Sequence, residues 1–198
     1  MSASGGDFPF EMKFAGYDAV MIAGKTNSPG FIHTKDQNVS IKQADKIWGM
    51  NTFDTQTFLK HHLHDQQIRV ACIGPAGENL SKMACIINER RAFGRKGIGA
   101  VMGSKNLKAI VVRGTNKVSV ANEEAFKTAR SSMLKAMKDS PVVYPHFSKM
   151  GTPMMVDAIN ALGIFPSENF STTGEKDYTE DIGAEKSIKA SVASEPCY

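Results

Sequence analysis

Residues 90–114, RRAFGRKGIGAVMGSKNLKAIVVRG, constrain this chain more than any other stretch. The segment holds five glycines (Gly94, Gly97, Gly99, Gly103 and Gly114) and seven cations (Arg90, Arg91, Arg95, Lys96, Lys105, Lys108 and Arg113), with no acid among them. Glycine lets a backbone come close to a ligand, and clustered Arg and Lys favour an anion. The pattern predicts a loop that wraps a phosphorylated group. The plainer alternative is a glycine-rich turn whose arginines are solvated.

Two familiar phosphate loops fail the test of spacing. A Walker loop needs Gly-x-x-x-x-Gly-Lys-Ser/Thr after a strand, and no window fits. Gly97, Gly99 and Gly103 form Gly-x-Gly-x-x-x-Gly, one residue longer than the dinucleotide fingerprint. The polar run RRAFGRK also precedes them, where a dinucleotide turn would follow a strand. An anion-binding loop of another kind remains. Arg91 and Arg95 are four apart and would project together on a helix. Gly94, between them, permits close backbone approach or a positive φ.

With 198 residues the chain is long enough for one domain or one and a half. Its composition, 41% hydrophobic and 22% charged, supports a packed core and excludes global disorder. The net charge of +4 is gathered in one loop rather than spread over a face or tail, so nucleic acid is not expected as a partner. No apolar run approaches the roughly 20 residues of a membrane span. The opening MSASGGDFPFEMKFAGYD lacks the charged-then-apolar pattern of a secretion signal, which leaves the cytoplasm as the expected compartment. Three widely spaced cysteines, Cys72, Cys85 and Cys197, suggest no disulfide framework. Cys72 and Cys85 sit in apolar runs and are expected to be buried thiols, whereas Cys197 is flanked by polar residues. The histidines, His33, His61, His62, His64 and His146, have no triad context and are read as surface or structural residues.

Apolar patterning predicts strands at 17–23, 30–33, 39–42, 68–73 and 107–112, with the turn KDQN between the second and third. A helix is expected at 51–64, capped by Asn51 or Thr52, with Phe53, Thr57, Phe58 and Leu59 as a partial stripe. GPAGEN reads as a turn, 80–88 is ambiguous between helix and strand, and 100–106 suits a short helix. From Asn122 onward the signals turn helical. Phe126, Ala129, Met133 and Met137 fall at helical spacing and are expected in a core. Thr152-Pro153 opens a further helix in which Met155, Val156, Ile159 and Leu162 face inward and which Gly163 ends. Residues 167–183 read as loop and 184–194 as a weak helix. The expected fold is therefore α+β, a mixed β-sheet domain followed by a helical segment, divided as 1–117 and 118–198.

At this level of detail the chain resembles the tungsten-dependent aldehyde:ferredoxin oxidoreductase family. RRAFGRKGIGAVMGSKNLKAIVVRG is similar to the family's signature segment. SGGDFPFEMKFAGYDAVMIAGK, ADKIWGMNTFDTQ, VACIGPAGENLSKMACIIN and MGTPMMVDAINALGIFPSENFSTTGE resemble further family segments, in order and without a large gap. The resemblance implies that 1–117 is an incomplete pterin-binding domain and that 118–198 begins the helical second domain. It also implies a central fragment: family members have strands and a basic segment before SGG, and they continue past Pro196-Cys197-Tyr198.

The resemblance implies a tungsten (or molybdenum) bis-pterin with magnesium joining the pterin phosphates. Matched position by position, Arg91, Ala92, Gly94 and Arg95 correspond to the family's pterin-binding Arg-Ala-x-Gly-Arg, and Gly5 lies in a second pterin-contacting segment, Ser4-Gly5-Gly6. Two departures stand out: Ala3 replaces an Asn, and Phe93 replaces a small residue. Cys197 corresponds to the first thiolate of a 4Fe–4S cluster. The implied reaction is oxidation of a small aldehyde to a carboxylate, with electron transfer through the cluster to ferredoxin or another iron–sulfur carrier under anaerobic conditions. The family's acid–base residues lie beyond this chain, so no catalytic residue is assigned and the chain alone is expected to be inactive. A homo-oligomer stays open. Two alternatives stand beside this reading: a family relative reducing aromatic-ring thioesters, and a non-enzymatic phosphate- or nucleotide-binding module.

Overall fold

The computed structural model describes residues 1–174, 177 and 179–191. The chain divides into two units, the first of residues 1–119 and the second beginning at Val120.

In the first unit six strands form one mixed sheet: β1 (Gly30–Lys35), β2 (Asn38–Gln43), β3 (Arg69–Cys72), β4 (Ile86–Asn88), β5 (Arg91–Phe93) and β6 (Leu107–Arg113), in the order β2-β1-β6-β3-β4-β5. β1 and β6 run parallel and the other pairings are antiparallel. The turn KDQN closes β1 onto β2 with Asp36 at φ 49°, a conformation that Asp tolerates better than most residues. With its helices, this sheet gives the α+β class expected from the sequence.

Alternation along β6 builds a core on each face of the sheet. Ala109 and Val111 join Phe31, Leu59, Val70 and Cys72 on the face covered by α2 (Thr52–His62). Val112 and Ile110 meet Phe8, Ala15 and Ala71 on the face covered by α1 (Phe8–Phe14). Asn51 caps α2 by accepting from the Asp54 amide at 2.9 Å, so the sequence signal for that helix start is realised. GPAGEN, expected as a turn, winds into the four-residue helix α3 (Pro75–Glu78), and Pro75 suits its first turn. The ambiguous stretch 80–88 resolves as bends leading into β4, and α4 (Ile98–Ser104) precedes β6.

Lys108 is the residue passed over where the pairing of β1 with β6 slips between Gly30 and Phe31. Its side chain is fully buried, donates to the Met50 carbonyl at 2.7 Å and pairs with Glu78 of α3. Glu78 in turn accepts from the Gly49 amide at 2.8 Å. This network ties β6, α3 and the turn before α2 together, with both charges partnered, as burial requires.

The second unit is helical among the described residues: α5 (Glu123–Asp139), a π-turn at Val143–Phe147, α6 (Ser148–Met150), a 3₁₀ turn at Thr152–Met154, α7 (Met155–Ala161), α8 (Thr179–Ile182) and α9 (Ala184–Ala190). Asn122 caps α5 through the Ala125 amide at 2.9 Å, and Gly163, at φ 69°, follows the end of α7.

Three expectations are corrected. Residues 17–23 form no strand; Val20 and Met21 are exposed, because no neighbouring strand pairs with this segment among the described residues. The α5 stripe forms, yet Phe126, Met133 and Met137 are exposed and α5 buries no residue, so the stripe is a face rather than a core. In α7, Ile159 and Val156 are half-buried, but Met155 is exposed, as is Leu162 beyond its end.

Candidate functional site

The segment 90–114 is not one loop. Arg91–Phe93 is strand β5, hairpinned onto β4 with Asn88 opposite Arg91 and Ile87 opposite Ala92. Arg91 and Arg95 therefore do not share a helix face, as their spacing allowed; they flank the outgoing end of a hairpin. Glu89 makes the turn at φ 49°, and Gly97, at φ 61°, is the left-handed residue from which α4 starts.

Most of the glycines serve packing. A Cβ on Gly103 would lie 1.9 Å from the Gly77 carbonyl oxygen, one on Gly97 2.0 Å from that of Lys82, one on Gly99 2.5 Å from that of Cys85, and one on Gly114 2.3 Å from the Ala15 nitrogen. Each of these positions is filled by protein backbone, so α4 can press against α3 and against residues 82–85. Gly94 differs: its nearest neighbour would be the Cys85 Sγ at 3.9 Å, an ordinary contact. Of the five, Gly94 is the one whose surroundings leave room.

The cations sort in the same way. Lys105 donates to the Gly24 carbonyl at 3.0 Å, and Lys108 is buried against Glu78. Arg113 pairs with Glu11 at 2.8 Å and with Asp65 at 3.3 Å, and the hydrogen bond to Glu11 raises its pKa further. These three are structural, which corrects the expectation that the seven cations act together on an anion. Arg90, Arg95 and Lys96 are exposed, and Arg91 is half-buried.

Residues 2–6 lie as a strap along the hairpin. The Arg95 amide donates to the Ser2 Oγ at 3.1 Å. Asn88 Nδ2 donates to the Ser4 Oγ at 2.8 Å. Gly6, at φ 98°, is buried so tightly that a Cβ would stand 2.9 Å from Asn88 Oδ1 and 3.0 Å from Arg91 Cγ. The structure thus lays the strap that contains Gly5 along the hairpin, through Ser2, Ser4 and Gly6, and it leaves Ala92, Gly94 and Arg95 exposed. Sequence reasoning missed Ser2 and Asn88. The available signal for Asn88 was its position as the polar residue closing the apolar run ACII.

Cys85 is half-buried rather than buried, with its Sγ 3.6 Å from the Gly94 carbonyl, because the Gly94 turn covers only one side of it. Cys72 is buried as expected, and burial pushes its thiol up to about 12, against a smaller opposing pull from Lys108. Cys197 lies outside the described residues. His33 is held below the ordinary imidazole value by burial and by Lys42 and Lys35. Among the described residues no group of three His, Cys, Asp or Glu side chains could hold a metal ion, and no helix is long and apolar enough to cross a membrane.

Two family descriptions match this chain. Residues 1–114 match "aldehyde ferredoxin oxidoreductase, N-terminal domain", and residues 128–198 match "aldehyde ferredoxin oxidoreductase, domains 2 & 3". The chain is 42% identical over 199 aligned residues to a tungsten-containing aldehyde ferredoxin oxidoreductase of Pyrococcus horikoshii, covering 100% of this chain and 33% of that protein. The protein of the same name from Thermococcus kodakarensis is 39% identical over 199 residues, with the same coverage. Among solved structures, the active-site complex of benzoyl coenzyme A reductase with 1,5-dienoyl-CoA matches with a TM-score of 0.80 at 30% identity, over 100% of this chain and 32% of that one. The chain thus spans about a third of the length of the curated relatives it matches.

Proposed function

Because this chain belongs to the aldehyde ferredoxin oxidoreductase family, we propose that it supplies the phosphate-gripping part of a tungsten-pterin oxidoreductase. The observation that carries this reading is the pinning of strap 2–6 onto the hairpin, which leaves Ala92, Gly94 and Arg95 outward beside Arg91. Arginine forks suit phosphate oxygens, and small residues leave backbone groups within reach of a ligand. The donor set fits a phosphate-bearing pterin: arginines, open backbone at Gly94, and a cradle at Gly6 that a side chain would fill. It holds the organic part of the cofactor and offers no direct ligand to the metal.

In this reading Arg91 and Arg95 bind the pterin phosphates, Ala92 and Gly94 let the backbone approach, and Gly5 meets the group from the strap. Molybdenum is the alternative metal, magnesium would accompany the pterin phosphates, and Cys197 would give the first thiolate to a 4Fe–4S cluster. When bound, the metal-pterin group supplies two-electron oxidation of a small aldehyde to the carboxylate. Ferredoxin would be the electron carrier, in an anaerobic cytoplasm, and the 198-residue chain alone would not turn over.

The test is anaerobic production with tungstate supplied, both of this chain and of a protein of the relatives' length carrying it. Metal analysis and the fluorescence of oxidised pterin are read on wild type, Arg91→Ala and Arg95→Ala. Loading of wild type and its loss in both variants are expected; a wild-type protein of the relatives' length with no tungsten, molybdenum or pterin sinks the proposal. Nucleotide binding by calorimetry in that protein would favour the phosphate-binding module instead. The likeness to benzoyl coenzyme A reductase favours a second reading, reduction of an aromatic-ring thioester. Assays with an aldehyde and with benzoyl-CoA, using viologen dyes as electron carriers, separate the two.

A further inference from the structure

We infer that Asn88 is a positioning residue that fixes the strap and the arginine hairpin as one cradle, an inference that rests on the pterin-binding reading above. Asn88 is fully buried at the end of β4 and faces Arg91 across the hairpin. Its Nδ2 reaches 84 positions back along the chain to the Ser4 Oγ at 2.8 Å. Its Oδ1 has no hydrogen-bond partner, although it is buried. A buried amide oxygen without a donor is unfavourable, and an apolar side chain of similar shape would avoid that cost. A residue kept for packing alone would have no need of the amide. Here the amide spans the two segments: its nitrogen holds Ser4, and its oxygen abuts Gly6 so closely that only glycine fits there.

The geometry gives Asn88 control over register. The strap has two further anchors to the hairpin region, the Ser2 Oγ at the Arg95 amide and the tight seat of Gly6 against Arg91. Asn88, at the end of β4, bonds the strap through Ser4 and stands opposite Arg91 across the hairpin, so it refers both to the same strand. Without it, the strap would keep only the Ser2 and Gly6 anchors, and Gly5 between them would be held less firmly against the hairpin. Asn88 does not face the outward side where Ala92 and Arg95 lie, and it acts through Ser4 and Gly6.

Asn88→Leu and Ser4→Ala test this in a protein of the relatives' length produced anaerobically with tungstate. Hydrogen exchange over residues 2–6 is expected to quicken in both. Tungsten content is expected to fall about tenfold, the scale seen when a partner that orients a ligand is removed. The double variant should be no worse than either single one, since both remove one bond. Ser4→Thr, which keeps the hydroxyl, should load as wild type does. Melting temperature is recorded alongside: a lower melting point with full tungsten content in the folded fraction means a merely structural role and overturns the proposal. Should Asn88→Leu fail to fold, Ser4→Ala carries the same test from the strap. Wild type that loads no metal or pterin refutes the proposed function, and the cofactor role of Asn88 falls with it. Wild type that loads while both variants load equally refutes Asn88 alone.

Discussion

Gly103→Ala and Gly94→Ala are the same chemical change at two places in one sequence segment, and the structure assigns them opposite consequences. At Gly103 the new methyl would stand 1.9 Å from the Gly77 carbonyl oxygen and 2.8 Å from the carbon behind it. Both are backbone atoms of α3, which cannot turn aside as a side chain could. Ala gains about 1 kcal/mol over Gly within a helix. Overpacking a tight contact costs about 1–3 kcal/mol and more where backbone must move. With α3 held from below by the buried Lys108–Glu78 pair, the upper end of that range applies, and the net loss is about 2 kcal/mol or more. For a unit of this size that corresponds to roughly 8 °C in melting temperature. At Gly94 the nearest atom would be the Cys85 Sγ at 3.9 Å and φ is not positive, so stability should hold or rise by about 0.4–1 kcal/mol. The assay is thermal unfolding of the chain followed by circular dichroism, with pterin loading of the longer protein measured in parallel. Gly103→Ala melting at or above wild type would refute the packing assignment. Gly94→Ala melting far below wild type would refute the claim that this glycine is left for a ligand.

Lys108→Met should cost about 3–5 kcal/mol in denaturant unfolding, because Glu78 would remain as a buried carboxylate without its cation; adding Glu78→Gln should recover part of the loss, and a single-variant loss below about 1 kcal/mol would contradict the network. Cys72, with a thiol pushed up to about 12 by burial, should resist alkylation at pH 8 while half-buried Cys85 reacts, as read by peptide mapping. The sign for stability follows: the folded state holds the Cys72 proton more tightly than the unfolded one, so this contribution is complete below about pH 9 and is lost as pH rises toward 12. Cys72→Ala should flatten that alkaline decline, and an unchanged slope would remove the assignment.

What could be read from the sequence and what could not divides along a physical line. Strand β6 was legible because LKAIVV is apolar and β-branched, and the caps at Asn51 and Asn122 were legible because the signal is local. The roles of Lys108 and Arg113 were not, since their acids lie 30 and 102 positions away. Composition counts charges without saying which are already paired. The same limit holds for the glycines: Gly103 and Gly77 meet only once α3 and α4 have folded against each other. A segment dense in glycine and arginine therefore pointed to an anion while most of its members were occupied in holding the scaffold.

Helix α5 shows the other side of that limit. Its seventeen residues carry a clear apolar stripe, and the sequence places Phe126, Met133 and Met137 on it. Periodicity states which face needs cover and is silent on what covers it. A single helix of this length is marginal in water, since packing of the apolar face supplies most helix stability in proteins. With every residue of α5 exposed, its own stability rests on the Asn122 cap, on Glu123 and Glu124 at the positive end of the dipole, and on the Lys127–Glu123 pair at 3.7 Å. Exposed pairs of this kind contribute only about 0.2–0.5 kcal/mol. The cap, worth about 1 kcal/mol, is thus the largest local term holding α5 in register, and it fixes where the stripe begins. The order of contributions is reversed in the first unit, where α2 has a comparable Asn cap but also buries Leu59 against the sheet. Loss of the Asn51 cap should therefore shorten α2 by a turn and leave it docked, whereas loss of the Asn122 cap removes the leading support of the whole of α5.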